Sequence, residues 1–286
     1  MCACTNVQVP VIHHDNALDR CTNGQGDLWN YTFEEVAELD AGAHFGPQFE
    51  GERIPTLADL LECCCQCSLG LNLEVKHLTA HSDDQPTAHE TAMEEELANV
   101  VCDTIEQVGV QPDRLVLSSF SRSAVAIIRR RLPRFECAFL VKGIPGDWAD
   151  FVRRHGCAAL NFDHTRNSRE QIMACALQLP VFSYTVNDAE RTLELLSWGV
   201  SGVFTDFPDV MASAVAQAAA SQHIPLERAR RYSDPVPPSI PASPLRKALS
   251  SSFTRSKSWK ELSLENVVEQ SLRFSHLAVD DRTIEN

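Results

Sequence analysis

Two histidines and an aspartate, His13-His14-Asp15, follow the apolar run Val9-Pro10-Val11-Ile12 near the start of the chain. An imidazole titrates near neutrality, so a histidine in such a place is equipped to take up and release protons in a reaction. Farther along, Glu74 interrupts the strand-like run Leu71–Val75 and Lys76 follows it. A carboxylate on an otherwise apolar strand is costly unless it is paired or liganded, so Glu74 is a candidate ligand and Lys76 either a partner for it or a cation for an anionic substrate. Other polar groups also end apolar runs: Ser118 and Ser119, Asp163, Thr185 and Asn187, Thr205 and Asp206. The two serines lack a Gly-x-Ser-x-Gly elbow, which argues against a serine nucleophile. Cys63-Cys64-Cys65-x-Cys67 is conspicuous, but zinc sites usually need two separated ligand pairs, so these cysteines read as small residues on a helix. His77, His81 and His89 fall in a polar stretch that reads as a loop, with a metal role as the alternative.

The elements that position these groups alternate. Short apolar runs at Leu71–Val75, Leu115–Leu117, Ala138–Val141, Ala158–Phe162, Val181–Val186 and Gly202–Thr205 predict strands. Between them, helical spacing covers Thr56–Cys67, Glu94–Val108, Ser123–Arg131, Trp148–His155, Arg169–Leu177 and Asp188–Trp198. Strand–helix alternation specifies a parallel α/β architecture, either an open doubly wound sheet or part of a (β/α)8 barrel. No Gly-x-Gly-x-x-Gly follows any strand, which removes the dinucleotide fingerprint. Polar residues at five of the six strand ends favour the barrel, whose strand ends converge on one face.

Composition narrows the function classes. The 286 residues are 44% hydrophobic and 22% charged, ordinary for a globular chain. Acids outnumber bases 39 to 25, which argues against nucleic acid as the main partner. No apolar run is long enough for a transmembrane segment, the start lacks the pattern of a signal peptide, and eleven scattered cysteines read as reduced thiols of the cytoplasm. The charge also divides the chain. Residues 223–286 carry 10 Lys/Arg against 8 Asp/Glu, leaving 15 against 31 in residues 1–222. Pro235, Pro237, Pro238, Pro241, Pro244 and the serines 250–252 make 223–286 a Ser/Pro-rich, mostly disordered tail. A short amphipathic helix within Trp259–Phe274 is one option there, and Arg-rich serine motifs suit a kinase or a protein partner.

In order along the chain, His14-Asp15-Asn16-Ala17-Leu18-Asp19-Arg20-Cys21-Thr22, Ile54-Pro55-Thr56-Leu57, Asn72-Leu73-Glu74-Val75-Lys76, Ser118-Ser119-Phe120, Tyr184-Thr185-Val186-Asn187 and Gly202-Val203-Phe204-Thr205-Asp206 resemble the motifs of the glycerophosphodiester phosphodiesterases. The resemblance spans about residues 5–215 and implies a (β/α)8 TIM barrel of the phospholipase-C-like type over residues 1–222, with a small insertion at about 16–53. It implies a phosphoric diester hydrolase of lipid metabolism, cleaving glycerophosphodiesters to glycerol 3-phosphate and an alcohol with a divalent metal, Mg²⁺ or Ca²⁺. On that resemblance His14 is the acid that protonates the leaving group and Asp15 its orienting partner. Glu74 is a metal ligand, Lys76 a phosphate-side cation, and Tyr184 and Asn187 substrate-binding residues. The family's opening His-Arg-Gly and Glu-x-Asp segments have no counterpart, so the resemblance implies a barrel short of its first two strands. The alternative is an inactive member, or a fragment, serving as a binding or regulatory module.

Overall fold

The computed structural model describes residues 2–4, 9–67, 69–78 and 86–220, so the tail from 223 and its expected helix within Trp259–Phe274 lie outside the described residues. Contacts divide the chain into two units. The first comprises Met1–Tyr184 with Trp198–Val200, and the second begins with Thr185–Ser197 and resumes at Ser201.

The first unit opens with an antiparallel pair, β1 (Cys2–Cys4) and β2 (Pro10–Ile12). Backbone bonds then anchor β2 to the start of the first long helix, Ile12 N–H donating to the Pro55 carbonyl at 2.9 Å and Val11 bridging Thr56. This fixes the direction in which His13, His14 and Asp15 leave the strand. The segment expected as an insertion builds a small core of its own, with Val11, Leu18, Leu28, Val36 and Ile54 all buried. Its short helix α1 (Phe33–Ala37) starts at a capping box, Thr32 with Glu35, which satisfies two end donors reciprocally. Asp40 closes the following loop by accepting from the backbone N–H groups of Gly42, Ala43 and Gly51. A Cβ at Gly42 would stand 1.9 Å from the Phe49 carbonyl oxygen, so only glycine fits this turn.

The main body alternates as expected: α2 (Leu57–Cys67), β3 (Leu71–Glu74), α3 (Ala88–Val108), β4 (Leu115–Ser119), α4 (Arg122–Arg131), β5 (Glu136–Val141), α5 (Trp148–His155), β6 (Ala159–Asp163), α6 (Arg169–Ala176) and β7 (Val181–Tyr184). Strands β3 to β7 pair in parallel in sequence order, with Glu74 opposite Ser118, Ser119 opposite Phe139, Val141 opposite Phe162 and Asp163 opposite Tyr184. All five therefore end on the same side, which is what brings their terminal polar residues toward one face. The central strands β4, β5 and β6 bury most of their residues, and Leu73, Leu117, Leu160, Phe162 and Val181 are at most 1% exposed, as strands covered by crossover helices require. Helix α3 buries Leu97, Ala98, Val101, Cys102 and Ile105, a stripe with helical period that packs on α4.

Boundaries differ where local chemistry outweighs periodicity. Helix α3 begins six residues before the apolar pattern does, because Thr87 and Glu90 form a capping box ahead of a polar first turn. Strand β7 stops at Tyr184, not Val186. In the second unit β8 is only Gly202–Val203, between α7 (Ala189–Ser197) and α8 (Pro208–Ala220). Thr192 in α7 hydrogen-bonds Met211 of α8, its hydroxyl 3.2 Å from the Met211 sulfur. No described helix is long and apolar enough to cross a membrane.

Candidate active site

His13 and His14 are adjacent but face different worlds. His13 is 5% exposed, and its Nε2–H donates to the Ala17 carbonyl at 3.0 Å, closing the loop that follows β2. Burial pushes its pKa down, so it remains a neutral structural group. His14 projects outward with its side chain 61% exposed, and its Nδ1 lies 2.5 Å from Asp15 Oδ1. Arg20 grips the same carboxylate with two bonds, Nε to Oδ2 at 2.6 Å and Nη2 to Oδ1 at 2.9 Å. The bidentate Arg20 guanidinium, helped by His14, holds the Asp15 carboxyl far below the usual carboxylate range. An ionised carboxylate only accepts, so the proton between the two lies on His14 Nδ1. That leaves Nε2 as the nitrogen that can exchange a proton with a bound molecule.

Glu74 ends β3 and Lys76 follows two residues later, so alternation places them on one face of the chain. Glu74 is half-buried, and its Oε1 is sealed from solvent without a hydrogen-bond partner among the described residues. Burial raises its pKa, opposed by the positive charge of Lys76 and by His14. Lys76 is pulled the other way: burial lowers its pKa, opposed by the carboxylates of Glu74 and Asp15. These mutual influences mean that the loop after β2 brings His14 and Asp15 within electrostatic reach of the end of β3. The Ser119 hydroxyl donates to the Val75 carbonyl at 2.7 Å, while Ser118 Oγ and Asn161 Oδ1 are buried polar atoms with no hydrogen-bond partner among the described residues.

An aromatic series lines the neighbouring strand ends. The His77 ring lies 5.0 Å from that of Phe120, which follows β4, and Phe120 meets Tyr184 of β7 edge-on at 5.9 Å. Tyr184 Oη donates to the Val141 carbonyl at 2.7 Å, so the ring is fixed across two strands. Tyr184 therefore forms part of a wall at this face. Asn187 lies in the second unit, where both ends of its amide are engaged. Its Nδ2 donates to Asp206 Oδ2 at 2.8 Å, and its Oδ1 accepts from the Thr205 hydroxyl and from Asp206 N–H.

The remaining strand-end residues and clusters resolve locally. Asp163 accepts from the N–H and hydroxyl of Thr165, a turn closure. The three-histidine stretch separates: His77 sits at the strand end, His89 is exposed on α3, and His81 lies outside the described residues. Cys63, Cys65 and Cys67 are exposed on the last turns of α2. Arg20 and Phe120 are neighbours here to which the sequence assigns no role, and His77, read there as a loop residue with a metal role as the alternative, belongs to no group of three metal-binding side chains among the described residues. Arg20 is part of the recognised motif, yet nothing in its spacing from Asp15 marks a contact across an irregular loop.

Glu74 Oε1 suits a hard cation such as Mg²⁺ or Ca²⁺, which takes oxygen ligands. One carboxylate is a single ligand, however, and among the described residues no group of three His, Cys, Asp or Glu is arranged to hold a metal ion. The described residues by themselves do not fit a divalent ion.

Residues 3–210 match the model of the glycerophosphoryl diester phosphodiesterase family. The chain belongs to this family. YhdW of Bacillus subtilis is 32% identical over 203 residues, 70% of this chain and 77% of its own. A glycerophosphodiester phosphodiesterase of Caldanaerobacter subterraneus subsp. tengcongensis is 28% identical over 207 residues, 72% of this chain and 79% of its own. Among solved structures, an Oleispira antarctica phosphodiesterase in complex with the product sn-glycerol-3-phosphate aligns with TM-score 0.66 and 28% identity, covering 75% of this chain and 83% of that one. The fold class is thus the α/β TIM barrel of the family, as the strand–helix alternation and the strand-end polar residues imply.

Proposed function

We propose that the chain hydrolyses glycerophosphodiesters to glycerol 3-phosphate and an alcohol. The observation that carries this reading is the Asp15-held His14 standing within electrostatic reach of Glu74 and Lys76 at the ends of parallel strands. A phosphodiester is anionic, so its hydrolysis needs positive charge at the phosphoryl oxygens and an acid for the departing alkoxide. Lys76 supplies the charge. His14 supplies the proton from Nε2 as the bond from phosphorus to the alcohol oxygen breaks, while water forms the new phosphorus–oxygen bond and releases a proton to solvent, from which the imidazole is recharged. Asp15 fixes the tautomer that makes this possible and stabilises the imidazolium before transfer, and Arg20 keeps Asp15 ionised and aimed. Tyr184 walls the pocket. The relatives' names and the sn-glycerol-3-phosphate held by the Oleispira enzyme support the choice of substrate. The reading includes a divalent ion, to which Glu74 offers one oxygen, and no step above is routed through it.

A second reading has an observation of its own. With one carboxylate and no three-ligand cluster among the described residues, the chain would bind glycerophosphodiesters without turning them over. Incubation of the full chain with glycerophosphocholine, with product glycerol 3-phosphate measured by a coupled assay, separates the two. Turnover that His14→Ala lowers by about 10²-fold or more supports the hydrolase. Loss of turnover in chelator, restored by Mg²⁺ or Ca²⁺, supports the ion. Binding of the substrate with no product in either metal favours the second reading.

A further inference from the structure

The cysteines at the end of α2 read in the sequence as small residues on a helix, and packing would account for them only if they were buried. Leu57 and Leu61 are the residues this helix buries, while Cys63, Cys65 and Cys67 are exposed and Cys64 is half-buried. At about 100° per residue, Cys63 and Cys67 stand roughly 200° and 240° around the helix from Leu61, on the side turned away from the core. Cysteine is among the most buried of residue types, so two thiols facing water one turn apart have no packing role to explain them. They are neighbours, because positions i and i+4 set their Cβ atoms about 5–6 Å apart. Burial, then the Cys63 thiol beside it, raise the Cys67 pKa, and the end of a helix also opposes negative charge. At neutral pH Cys67 therefore keeps its proton and is a poor nucleophile.

The spacing selects what can bridge the pair. A disulfide needs Cβ atoms about 3.5–4.5 Å apart, closer than one helical turn allows without unwinding. A metal ion replaces the single sulfur–sulfur bond with two metal–sulfur bonds of about 2.3 Å each, the length of a zinc–thiolate bond, and so spans the wider gap. Soft thiolates select copper(I) or zinc. Zinc takes four ligands in a structural site, and among the described residues no group of three His, Cys, Asp or Glu is arranged to hold an ion. Copper(I) is satisfied by two thiolates in line. We propose that Cys63 and Cys67 form a two-thiolate copper(I) site on the outer side of α2. Helix α2 ends where β3 begins, so this pair lies at the opposite end of β3 from Glu74 and Lys76, and the site is independent of the hydrolase reading. Binding breaks two S–H bonds and forms two S–Cu bonds; both protons pass to water and copper keeps its +1 state, so no oxidant or reductant is required.

The test titrates the full chain with copper(I) without oxygen, in competition with bathocuproine disulfonate. A background carrying Cys2→Ser and Cys4→Ser removes the closely spaced cysteines outside α2. In that background the chain should withdraw one equivalent of copper(I), release two protons and gain an ultraviolet thiolate-to-copper band. Cys63→Ser and Cys67→Ser should each weaken the affinity by about a hundredfold or more, beyond the roughly 10–100-fold that loss of a supporting partner costs. Cys65→Ser removes another exposed thiol from the same stretch and should change it by less than about twofold. Thermal melting, expected to be unchanged at these exposed positions, shows that the variants are folded. A chain that takes up no copper(I), equal losses in all three variants, or full retention of copper(I) by Cys67→Ser would overturn the assignment. A disulfide mapped between Cys63 and Cys67 in the folded chain would overturn the geometry on which it stands. Turnover of glycerophosphocholine enters none of these readouts, so the hydrolase reading stands or falls separately.

Discussion

Glu74 and Lys76 leave β3 on one face, both half-buried, and burial opposes the charge on each. Each offsets part of that opposition for the other, so neither should be removable alone without cost. In a fully buried ion pair, deleting one partner costs about 3–5 kcal/mol; for these half-buried groups about 1–3 kcal/mol is the proportionate figure. At about 2–4 °C per kcal/mol for a domain of this size, Lys76→Met should melt roughly 2–12 °C below wild type at neutral pH. Glu74→Gln should cost less, because Asp15 still pulls on Lys76. The double variant should recover most of the loss, since it leaves no unpaired charge behind. The pH dependence has a definite sign. The Glu74 carboxyl is raised above its ordinary value of 4.5, so between that value and its folded value the folded chain holds a proton that the unfolded chain has released. Stability from this group therefore falls as pH rises through that window. Lys76→Met removes the offset and should steepen the fall, while Glu74→Gln should abolish it. Urea denaturation of the four proteins from about pH 4 to pH 8 measures every term. Single costs that simply add in the double variant, or a pH slope unchanged in Glu74→Gln, would refute the pairing.

Three further outcomes follow from single contacts. Arg20→Gln should lower kcat by about tenfold to a hundredfold with little change in KM or melting temperature, and added guanidinium should restore the rate in Arg20→Ala but not in Asp15→Asn, because the fork acts only through Asp15. Ser121→Ala removes the hydroxyl that accepts from Ala124 N–H at the start of α4, and a melting curve should show a loss of about 1 kcal/mol, or roughly 2–4 °C. Gly109 ends α3 at φ +74° with nothing within 4 Å of where a Cβ would stand, so Gly109→Ala should cost about 1–2 kcal/mol in denaturant through backbone strain alone.

The frame of the protein is visible in its pattern because burial forces apolar residues onto the strands, most continuously onto β5, and those runs are hard to mistake. Helix α5 falls where its spacing puts it, while the start of α3 does not, because a capping box is local hydrogen-bond chemistry that carries no hydrophobic period. The site divides along the same line. His14, Asp15, Glu74 and Lys76 are legible because each is a polar residue at the end of an apolar run. Arg20 and His77 are not, for opposite reasons: one reaches back five residues across a loop, and the other gains its character only from what is packed around it. His13 shows the limit most sharply. By residue type it equals His14, and only the depth of its ring and the Ala17 carbonyl opposite it make it structural.

Asn187 carries this reasoning to the second unit. The family resemblance implies a substrate-binding role for it, yet its Oδ1 accepts two hydrogen bonds and its Nδ2 donates to Asp206, all within the second unit. A side-chain amide has two lone pairs and two N–H groups, so three of its four positions are spent on tying Thr205 and Asp206 to the end of the preceding loop. Only one N–H is left for a ligand. The direct contribution of Asn187 to binding is therefore bounded at a single hydrogen bond, about 0.5–1.5 kcal/mol, whereas its loss would also release three internal ones. Substitution there should read first as a loosened loop, in a lower melting temperature, and only second as weaker binding of substrate.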